Sequence, residues 1–328
     1  MLCNAVSPSL VGRKGDAMNA VVDFPAPTTL SAYKQIEIEF DPALRTLFSW
    51  MRPTPRACFN AELLEEVQKC EQLLESNHGY WNHCGREERV EYLVAGSRVP
   101  GVFNLGGDLS MFVQAIMRQD RELLSYYANL CVQNIHRRVR GFGAQISTIT
   151  LVQGKALGGG FECALAADVI VAERSATMSL PEVLFNLFPG MGAVSFLARR
   201  CGLRKAEEIV TSGQVFAAKE LYELGIVDEL VEDGLGLEST RVIIQQRLRR
   251  ANTYRSLHRA KQFYQPVTLD ELAGIVGVWV DAALQLETRD LRMMARLLRA
   301  QDRLTEAPED AAVDAIYAPA VHTAINYR

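Results

Sequence analysis

The sequence lacks an apolar run long enough to cross a membrane. Its longest apolar stretch extends from Gly274 to Ala283 and is interrupted by Asp281, whereas a membrane helix needs about 20 apolar residues in succession. Residues 1–15 mix serine, proline, glycine, arginine and lysine without the apolar segment of a signal peptide. We therefore expect a cytoplasmic protein with no membrane segment, and Met18 is an alternative to Met1 as its start.

The sequence also has no paired cysteines of the kind that hold a metal or exchange electrons. Its seven cysteines are widely spaced and include no Cys-x-x-Cys pair, which is typical of reduced thiols rather than of a disulfide framework. The histidines show neither metal-ligand spacing nor an adjoining nucleophile, and no Gly-x-Ser-x-Gly elbow occurs. We expect no metal, no redox site and no serine–histidine–aspartate hydrolase.

A strong charge of either sign is absent as well. The net charge of −4 and the pI near 5.8 give no attraction to nucleic acid. The basic runs at 137–140 and 247–250 are short, as expected of solvated helix faces. With 328 residues, 48% of them hydrophobic, the chain can bury a large core. We expect a globular protein that does not bind nucleic acid.

Strand and helix patterns alternate through the first part of the chain. Residues 1–32 are rich in proline, serine, alanine and threonine and are expected to be mobile. Helices are predicted from Asn60, over 109–138 and over 162–167. The alternation indicates parallel βαβ units and an α/β fold. The predicted strands lie at 36–40, 44–51, 92–95, 102–105, 146–152, 168–172 and 178–180.

From Ala193 onward the pattern is helical. We therefore divide the chain into a mobile segment (1–32), an α/β core (33–235) and a C-terminal helical region (236–328). The helices of the last part are predicted near 193–201, 204–212, 217–224, 237–251, 254–263 and 268–300.

Two glutamates lie beside glycine-rich turns. Glu162 follows the run Gly158–Gly160, and Glu182 precedes the turn Pro189–Gly192. A further turn contains Gly106 and Gly107. Glycine lets backbone N–H groups approach a ligand closely, and a helix N-terminus stabilises a developing oxyanion. Two carboxylates and such turns indicate acid–base chemistry on an enolate.

Each of these features also has a plainer interpretation. Three glycines can simply form a tight turn, and Glu162 and Glu182 can be helix-terminus acids that interact with the helix dipole. Two such glutamates together weaken that interpretation. Asp108 is expected to cap a helix, and Asp168 to satisfy buried donors. The spacing fits neither a Walker phosphate loop nor Gly-x-Gly-x-x-Gly, and we expect no cofactor.

The motif Val152–Glu162 with Ala167-Asp168, followed by Leu180–Val183 and Phe188–Gly192, resembles the crotonase (enoyl-CoA hydratase/isomerase) superfamily. The resemblance extends over about residues 33–235 in element order, and the 20-residue step between the two glutamates matches the pair of true hydratases. It implies a crotonase-like ββα spiral core and water addition or elimination across C2–C3. It also implies a homotrimer, with the C-terminal helical region covering the site and forming the trimer.

Within that superfamily the chain is most similar to bacterial diffusible signal factor synthases. The similarity lies in Phe103–Leu109, Ser179–Glu182, Leu187–Ala193 and the helical tail with Trp279. It implies a bifunctional enzyme that dehydrates 3-hydroxyacyl groups on acyl carrier protein and then hydrolyses the thioester. The product would be a cis-2-unsaturated fatty acid for quorum sensing, such as cis-2-dodecenoic acid.

The resemblance assigns roles to individual residues. The N–H groups of Gly107 (or its neighbour Gly106) and of Gly159 would hold the thioester oxygen, and Glu162 and Glu182 would share the proton transfers. Which glutamate is the acid and which the base stays open at this point.

The same resemblance implies a pocket for the acyl chain and two protein partners. The pocket candidates are Met191, Trp279 and Leu297, for which ordinary core packing is the alternative. The partners are acyl carrier protein and the receiver domain of a sensor kinase. Three basic residues are candidates for docking the carrier protein, with a solvated surface as the alternative: Arg56, Arg86 and Arg98.

Two other functions remain open from the sequence. A plain enoyl-CoA hydratase of fatty-acid breakdown would act on CoA esters and release no free acid. A non-catalytic crotonase-like protein would bind a ligand or a regulatory partner, although the intact pair of Glu162 and Glu182 argues against a purely binding role.

Overall fold

A computed structural model of the chain describes residues 28–30 and 33–306. The expectations for residues 1–27, 31–32 and 307–328 fall outside the described residues. The strands are β1 (Thr28–Leu30), β2 (Ile36–Asp41), β3 (Thr46–Met51), β4 (Tyr80–His83), β5 (Arg86–Arg89), β6 (Tyr92–Ser97), β7 (Val102–Asn104), β8 (Ser147–Val152), β9 (Lys155–Leu157), β10 (Val169–Glu173), β11 (Thr177–Ser179), β12 (Val215–Ala217) and β13 (Glu229–Val231). The helices are α1 (Ala61–Ser76), α2 (Leu109–Met117), α3 (Arg121–Val139), α4 (Gly159–Leu165), α5 (Ala193–Cys201), α6 (Leu203–Ser212), α7 (Ala218–Glu223), α8 (Gly236–Leu248), α9 (Ala251–Tyr264), α10 (Leu269–Ala283) and α11 (Thr288–Glu306).

The larger sheet has seven strands in the order β1-β2-β3-β6-β8-β10-β13. The first three strands pair antiparallel, and the strands from β3 to β13 pair parallel. Parallel neighbours need a crossover connection, which α1 supplies between β3 and β6, and α4 between β8 and β10. The predicted α/β fold with parallel βαβ units is confirmed.

Helices cover both faces of this sheet because alternate strand residues point to opposite sides. In β6, Leu93 packs into a large hydrophobic cluster that includes residues of α1 and α3. Its neighbour Val94 packs into a second cluster that includes Ile244 of α8. Both β6 residues are at most 1% exposed, and full burial of such a side chain stabilises the fold by about 1.5–3 kcal/mol.

The smaller sheet, in the order β12-β11-β9-β7, determines where the functional turns lie. Strands β7, β9 and β11 pair parallel, so their carboxyl ends meet at one edge of the sheet. β7 leads to Gly107, β9 to Gly159 and β11 to Glu182. The sequence pattern does not predict β9, because three residues are too few to show an alternation.

One predicted helix is in fact two. The segment 109–138 is interrupted between α2 and α3, and Asp120 begins α3 by accepting a hydrogen bond from the N–H of Leu123 at 2.9 Å. Five polar residues (118–122) interrupt the apolar spacing here, so the boundary is marked both by this gap and by the Asp120 cap. Asn60 shows the same signal where it was predicted, since its side chain accepts from the N–H of Leu63 at 2.8 Å.

Other boundaries differ in the same way. The predicted helix 268–300 is divided into α10 and α11, and α4 begins at Gly159 rather than at Glu162. The short strands β1, β4, β5, β12 and β13 are also absent from the sequence prediction, because they contain only three or four residues each. β1 lies within the segment expected to be mobile, and its residues pair with β2 instead. Within residues 28–30 and 33–306, no helix is both long enough and apolar enough to cross a membrane.

Gly160→Ala is expected to destabilise the fold. A Cβ at this position would lie 2.3 Å from the carbonyl oxygen of Asn104, and this obstacle is the backbone of β7, so α4 or the strand must shift. Forcing atoms into a packed region costs about 1–3 kcal/mol. Urea unfolding would measure the change in the free energy of unfolding.

The matched control is Gly274→Ala on α10. Nothing lies within 4 Å of its Cβ position, and alanine in a helix is favoured over glycine by about 1 kcal/mol. We therefore expect the control to be at least as stable as the wild type. Equal unfolding free energies for the two variants would contradict the close approach of α4 and β7.

Candidate active site

The turns after β7 and β9 bring two backbone N–H groups together. A Cβ on Gly159 would lie 3.6 Å from the nitrogen of Gly107, so the two residues are neighbours. Gly106 has a φ of 97°, and a Cβ there would lie 2.8 Å from the carbonyl oxygen of Leu157. Both the conformation and the close approach therefore require glycine.

Hydrogen bonds hold these turns in place. Asn104 Oδ1 accepts from the N–H of Gly106 at 2.8 Å, and the N–H of Phe59 donates to the Gly106 carbonyl at 2.7 Å. Gly159 is the first residue of α4, and N–H groups in the first turn of a helix have no acceptor within the helix. Because Gly107 and Gly159 both line one cavity, their N–H groups are positioned to stabilise an oxyanion.

Glu162 lies in the first turn of α4 and is 1% exposed. Its Oε1 accepts hydrogen bonds from the N–H groups of Met191 at 2.8 Å and Ala193 at 3.1 Å. The turn after Pro189 thus orients the carboxyl group of a residue that lies far from it in sequence. Burial raises the pKa of Glu162 to about 7, while the two backbone donors oppose that rise by stabilising the carboxylate.

Glu182 lies on the 3₁₀ turn Pro181–Phe185 and lines the same cavity. The residue as a whole is half-buried, but its Oε2 is shielded from solvent and has no hydrogen-bond partner among the described residues. The pKa of Glu182 depends on the exposure of its carboxyl group and not on that of the whole residue. Burial raises the pKa of Glu182 to about 8, and the charge of Glu162 adds to the rise.

The conformation of Gly158 makes room for this second carboxyl group. Gly158 has a φ of 50°, and a Cβ there would lie 2.6 Å from Oε1 of Glu182. The carboxyl group therefore lies directly against the turn that begins α4. A side chain at position 158 would displace it from the cavity that it shares with Glu162.

The two carboxyl groups are suited to general acid–base catalysis. Two buried carboxyls that interact do not both ionise readily, so near neutral pH the pair holds a proton that one of them can donate. The other can accept a proton, which gives an acid and a base in one cavity. The unpartnered Oε2 of Glu182 leaves a hydrogen-bonding position for a substrate group.

An apolar cavity of about 70 Å³ surrounds the carboxyl groups. Of the three residues predicted to line an acyl pocket, Met191 and Trp279 line this cavity and Leu297 does not. Leu297 lies on α11 and is buried in the large hydrophobic cluster, so core packing describes its position. The structure brings together the other predicted site residues, namely Glu162, Glu182, Gly107, Gly159, Met191 and Trp279.

Trp279 of α10 is fixed by contacts on two sides. Its ring meets that of Phe112 edge to face with centroids 5.2 Å apart. On another side it lies against Gly190, where a Cβ would be 2.4 Å from the indole ring. At 2% exposure, Trp279 attaches the C-terminal helices directly to the turn that orients Glu162.

The cavity also contains residues to which the sequence assigns no role. Phe59 and Phe112 line it, and the hydroxyl of Tyr127 donates to the Phe59 carbonyl at 2.6 Å. This bond holds α3 close to the Gly107 turn. Phe112 and Tyr127 lie on predicted helices, where the sequence does not distinguish them from core residues. The only available signal is the helical spacing of Phe112 from Leu109, which places both on one face of α2.

Two aspartates that the sequence singles out have the structural roles predicted for them. Asp108 begins α2 by accepting hydrogen bonds from two backbone N–H groups at 3.1 Å each. Asp168 Oδ2 accepts from the N–H of Thr148 at 2.9 Å, and its Oδ1 lies 3.1 Å from Nδ1 of His258. Among the described residues, no group of three or more histidines, cysteines, aspartates and glutamates is placed to hold a metal ion.

The three arginines considered for carrier-protein docking differ in their surroundings. Arg98 forms ion pairs with two glutamates on β2 and lies over the ring of Trp50. Arg86 is exposed at the start of β5. Arg56 forms an ion pair with Asp302 and also interacts with Asp108, beside the Gly107 turn. Of the three, Arg56 is therefore the one that the structure places next to the cavity.

Comparison with known proteins identifies the family. The sequence matches the family model for enoyl-CoA hydratase/isomerase over residues 50–302, which is most of the chain. The chain therefore belongs to the enoyl-CoA hydratase/isomerase family, and the paired glutamates and glycine turns described above lie within the matched residues.

Curated relatives match only part of the chain. Methylglutaconyl-CoA hydratase from human mitochondria (Homo sapiens) is 32% identical over 153 residues, which cover 44% of this chain and 41% of that protein. The fatty acid oxidation complex subunit alpha of Pseudomonas syringae pv. tomato is 36% identical over 130 residues, which cover 40% of this chain and 18% of that protein. The chain thus spans less than half the length of these relatives.

Solved structures share the fold at low sequence identity. An enoyl-CoA hydratase from Bacillus halodurans has a TM-score of 0.64 and 20% identity, over 80% of this chain and 99% of that one. DspI of Pseudomonas aeruginosa has a TM-score of 0.56 and 21% identity, over 72% of this chain and 91% of that one. The fold is the crotonase-like α/β fold with added C-terminal helices, as the sequence predicts.

Glu182→Gln is expected to stabilise the protein more at pH 9 than at pH 5. The folded protein retains the carboxyl proton up to about pH 8, whereas an unfolded glutamate releases it at about pH 4.3. Between these values the folded state binds more protons, so the free energy of unfolding falls as the pH rises. Glutamine does not ionise, and we expect the variant to avoid this loss, which is about 5 kcal/mol for the pKa difference given above.

Urea unfolding at several pH values would measure this effect. Glu207→Gln, on the exposed side of α6, serves as the control and is expected to follow the pH dependence of the wild type. Parallel stability curves for the wild type and Glu182→Gln would show that the Glu182 carboxyl group is not held in its neutral form.

Proposed function

We propose that the protein is a bifunctional 3-hydroxyacyl carrier-protein dehydratase and thioesterase that releases a cis-2-unsaturated fatty acid, a diffusible quorum-sensing signal such as cis-2-dodecenoic acid. The observation that carries the proposal is the pair Glu162 and Glu182 in one apolar cavity with the N–H groups of Gly107 and Gly159. The site therefore contains a proton donor, a proton acceptor and an oxyanion hole.

Dehydration requires removal of a proton from C2 and protonation of the departing C3 hydroxyl. With the thioester oxygen on the N–H groups of Gly107 and Gly159, the negative charge that develops as the C2–H bond breaks is stabilised. One glutamate takes the C2 proton while the other gives a proton to the hydroxyl, which leaves as water. The two glutamates together hold as many protons after the reaction as before it. One proton transfer between them restores the starting state of the site.

Thioester hydrolysis can use the same groups. Water attacks the thioester carbonyl while a carboxylate of the pair accepts its proton, and the oxyanion hole holds the tetrahedral intermediate. Collapse of the intermediate breaks the C–S bond, and the proton passes to the leaving thiol. The products are the free enoic acid and the carrier protein with its thiol restored.

Several partners follow from the proposal. The acyl group is carried by acyl carrier protein, and Arg56 beside the cavity is positioned for an acidic partner. We also propose a homotrimer in the cytoplasm and a second partner, the receiver domain of a sensor kinase. The support for these is the motif similarity over Phe103–Leu109 and Leu187–Ala193.

A second candidate function is that of a plain enoyl-CoA hydratase. It is favoured by the family match and by relatives that are named as CoA hydratases. Such an enzyme would hydrate 2-enoyl-CoA and leave the thioester intact. A non-catalytic role is disfavoured because Glu162 and Glu182 both remain and are held in a shielded cavity at a desolvation cost.

Glu162→Ala and Glu182→Ala are each expected to lower the dehydration rate by about 10²–10⁴-fold, the usual contribution of a general acid or base. The full-length wild type and both variants would be incubated with 3-hydroxydodecanoyl carrier protein. Mass spectrometry would follow the enoyl carrier protein and the free acid separately. Glu207→Ala is the control, and it is expected to retain wild-type rates.

The possible results separate the candidates. Release of cis-2-dodecenoic acid by the wild type, lost in either glutamate variant, supports the bifunctional enzyme. Hydration of enoyl-CoA without release of acid would replace it with the plain hydratase. Absence of turnover on carrier-protein and CoA substrates would contradict both catalytic functions.

A further inference from the structure

We propose that the buried ion pair between Arg138 and Glu71 is the floor of an acyl channel and limits the length of the acyl tail. The inference rests on the proposed function, because it concerns the acyl group bound at the same site. It deepens that function by naming the substrate class: apolar tails of medium length that end without a polar group.

One face of α3 forms the wall of the cavity from the oxyanion hole to this ion pair. Tyr127, Cys131, Ile135 and Arg138 all line the cavity, and steps of four, four and three residues place them on one side of the helix. The hydroxyl of Tyr127 lies 3.5 Å from the Cβ position of Gly107, which marks the outer end. From Tyr127 to Arg138 the helix rises about 16 Å at 1.5 Å per residue.

Of the described residues that line the cavity, none between the glutamates and the floor is ionised. Leu64 and Val67 of α1 are apolar and buried. Cys131 and Cys163 also line the cavity, and burial raises the pKa of both thiols, so they stay uncharged. An alkyl tail in this channel therefore meets apolar surface and neutral sulfur.

Non-covalent contacts of the floor residues connect three helices. Arg138 of α3 forms an ion pair through Nε with Glu71 of α1, and its Nη1 donates to the sulfur of Cys163 on α4 at 3.2 Å. Asn134, one turn before Arg138, donates to the Leu64 carbonyl at 3.0 Å. Arg138 and Glu71 are 8% and 2% exposed. Burial raises the pKa of Glu71, and the neighbouring Arg138 opposes that rise. The floor is therefore polar and fixed.

The walls and the floor respond differently to a longer tail. At about 70 Å³ the cavity is narrow, so a tail must move wall side chains, and flexible ones such as Met191 can adapt to it. The side chains of the floor, Arg138 and Glu71, cannot move aside for a longer tail as the wall side chains can. Moving Arg138 would separate a buried ion pair and leave Glu71 with an uncompensated charge. Tail length is thus limited at one defined point.

Val67→Phe is expected to shift the preference toward shorter tails, because the added ring fills the channel above the floor. The test compares kcat/KM of the full-length enzyme for 3-hydroxybutyryl, 3-hydroxyoctanoyl, 3-hydroxydodecanoyl and 3-hydroxyhexadecanoyl carrier proteins. We expect the dodecanoyl-to-octanoyl ratio to fall by about tenfold or more, as methylene-sized changes in an apolar pocket do. Leu73→Phe, on the same helix but 46% exposed, is the matched control and should keep the wild-type profile.

The double variant with Glu71→Met and Arg138→Met tests the floor itself. Replacing both members of a buried ion pair by apolar side chains commonly preserves the fold, which thermal unfolding would verify. Because methionine is flexible, we expect the hexadecanoyl-to-dodecanoyl ratio of kcat/KM to rise by about tenfold. A folded double variant with an unchanged ratio would contradict the assignment of the floor. If this variant does not fold, Val67→Phe still tests the channel above the floor.

A folded Val67→Phe protein with an unchanged length profile would overturn the proposal. So would a wild-type preference for tails that end in a hydroxyl or a carboxylate, since Arg138 would then bind a polar tail. Binding of saturated acyl pantetheine thioesters of the same lengths, measured by calorimetry, needs no chemistry. Its length profile therefore tests the floor even if the dehydratase or thioesterase activity is absent.

Discussion

Two carboxyl groups share one apolar cavity, and burying them costs solvation free energy. The rest of the site determines how far each carboxyl group is compensated for that cost. Glu162 is stabilised by the N–H groups of Met191 and Ala193, which fixes the position of the turn after Pro189. In the part of the chain that the structure describes, no donor reaches Oε2 of Glu182, and Glu182 retains its proton more strongly than Glu162 does. Unequal solvation by the protein thus gives two chemically identical side chains different ionisation behaviour, which acid–base catalysis requires.

The small sheet is the scaffold that makes this arrangement geometrically possible. Three short parallel strands deliver the Gly107 turn, the N-terminus of α4 and the Glu182 turn to the same edge. The packing at this edge leaves no room for side chains at positions 106 and 158. Trp279 then connects the C-terminal helices to the turn that orients Glu162, so the helical region is part of the site and not an independent appendage.

Much of this could be predicted because it has a local signal. The alternation of strands and helices, the Asn60 cap and the glutamates beside glycine turns are all readable over a few residues. Features set by long-range packing could not be predicted in this way. Strand β9 exists because neighbours on both sides pair with it, and Leu297 packs away from the cavity although its residue type suits a pocket. Asn104 and Tyr127 stabilise the site through hydrogen bonds that no sequence spacing encodes.

The contact between Asp168 and His258 has a consequence for the energy landscape of the native state. His258 is the residue that α9 buries, so this helix has little apolar surface committed to the core. Polar contacts hold α9 instead: His258 with Asp168, Arg255 with Glu91, and Gln262 with the carbonyl of Val139. A segment attached mainly by polar contacts at the surface opens by sub-global unfolding at a lower free energy than a sheet core. In hydrogen-exchange terms, we expect the amides of α9 to exchange as a separate cooperative unit while β8 and β10 remain protected.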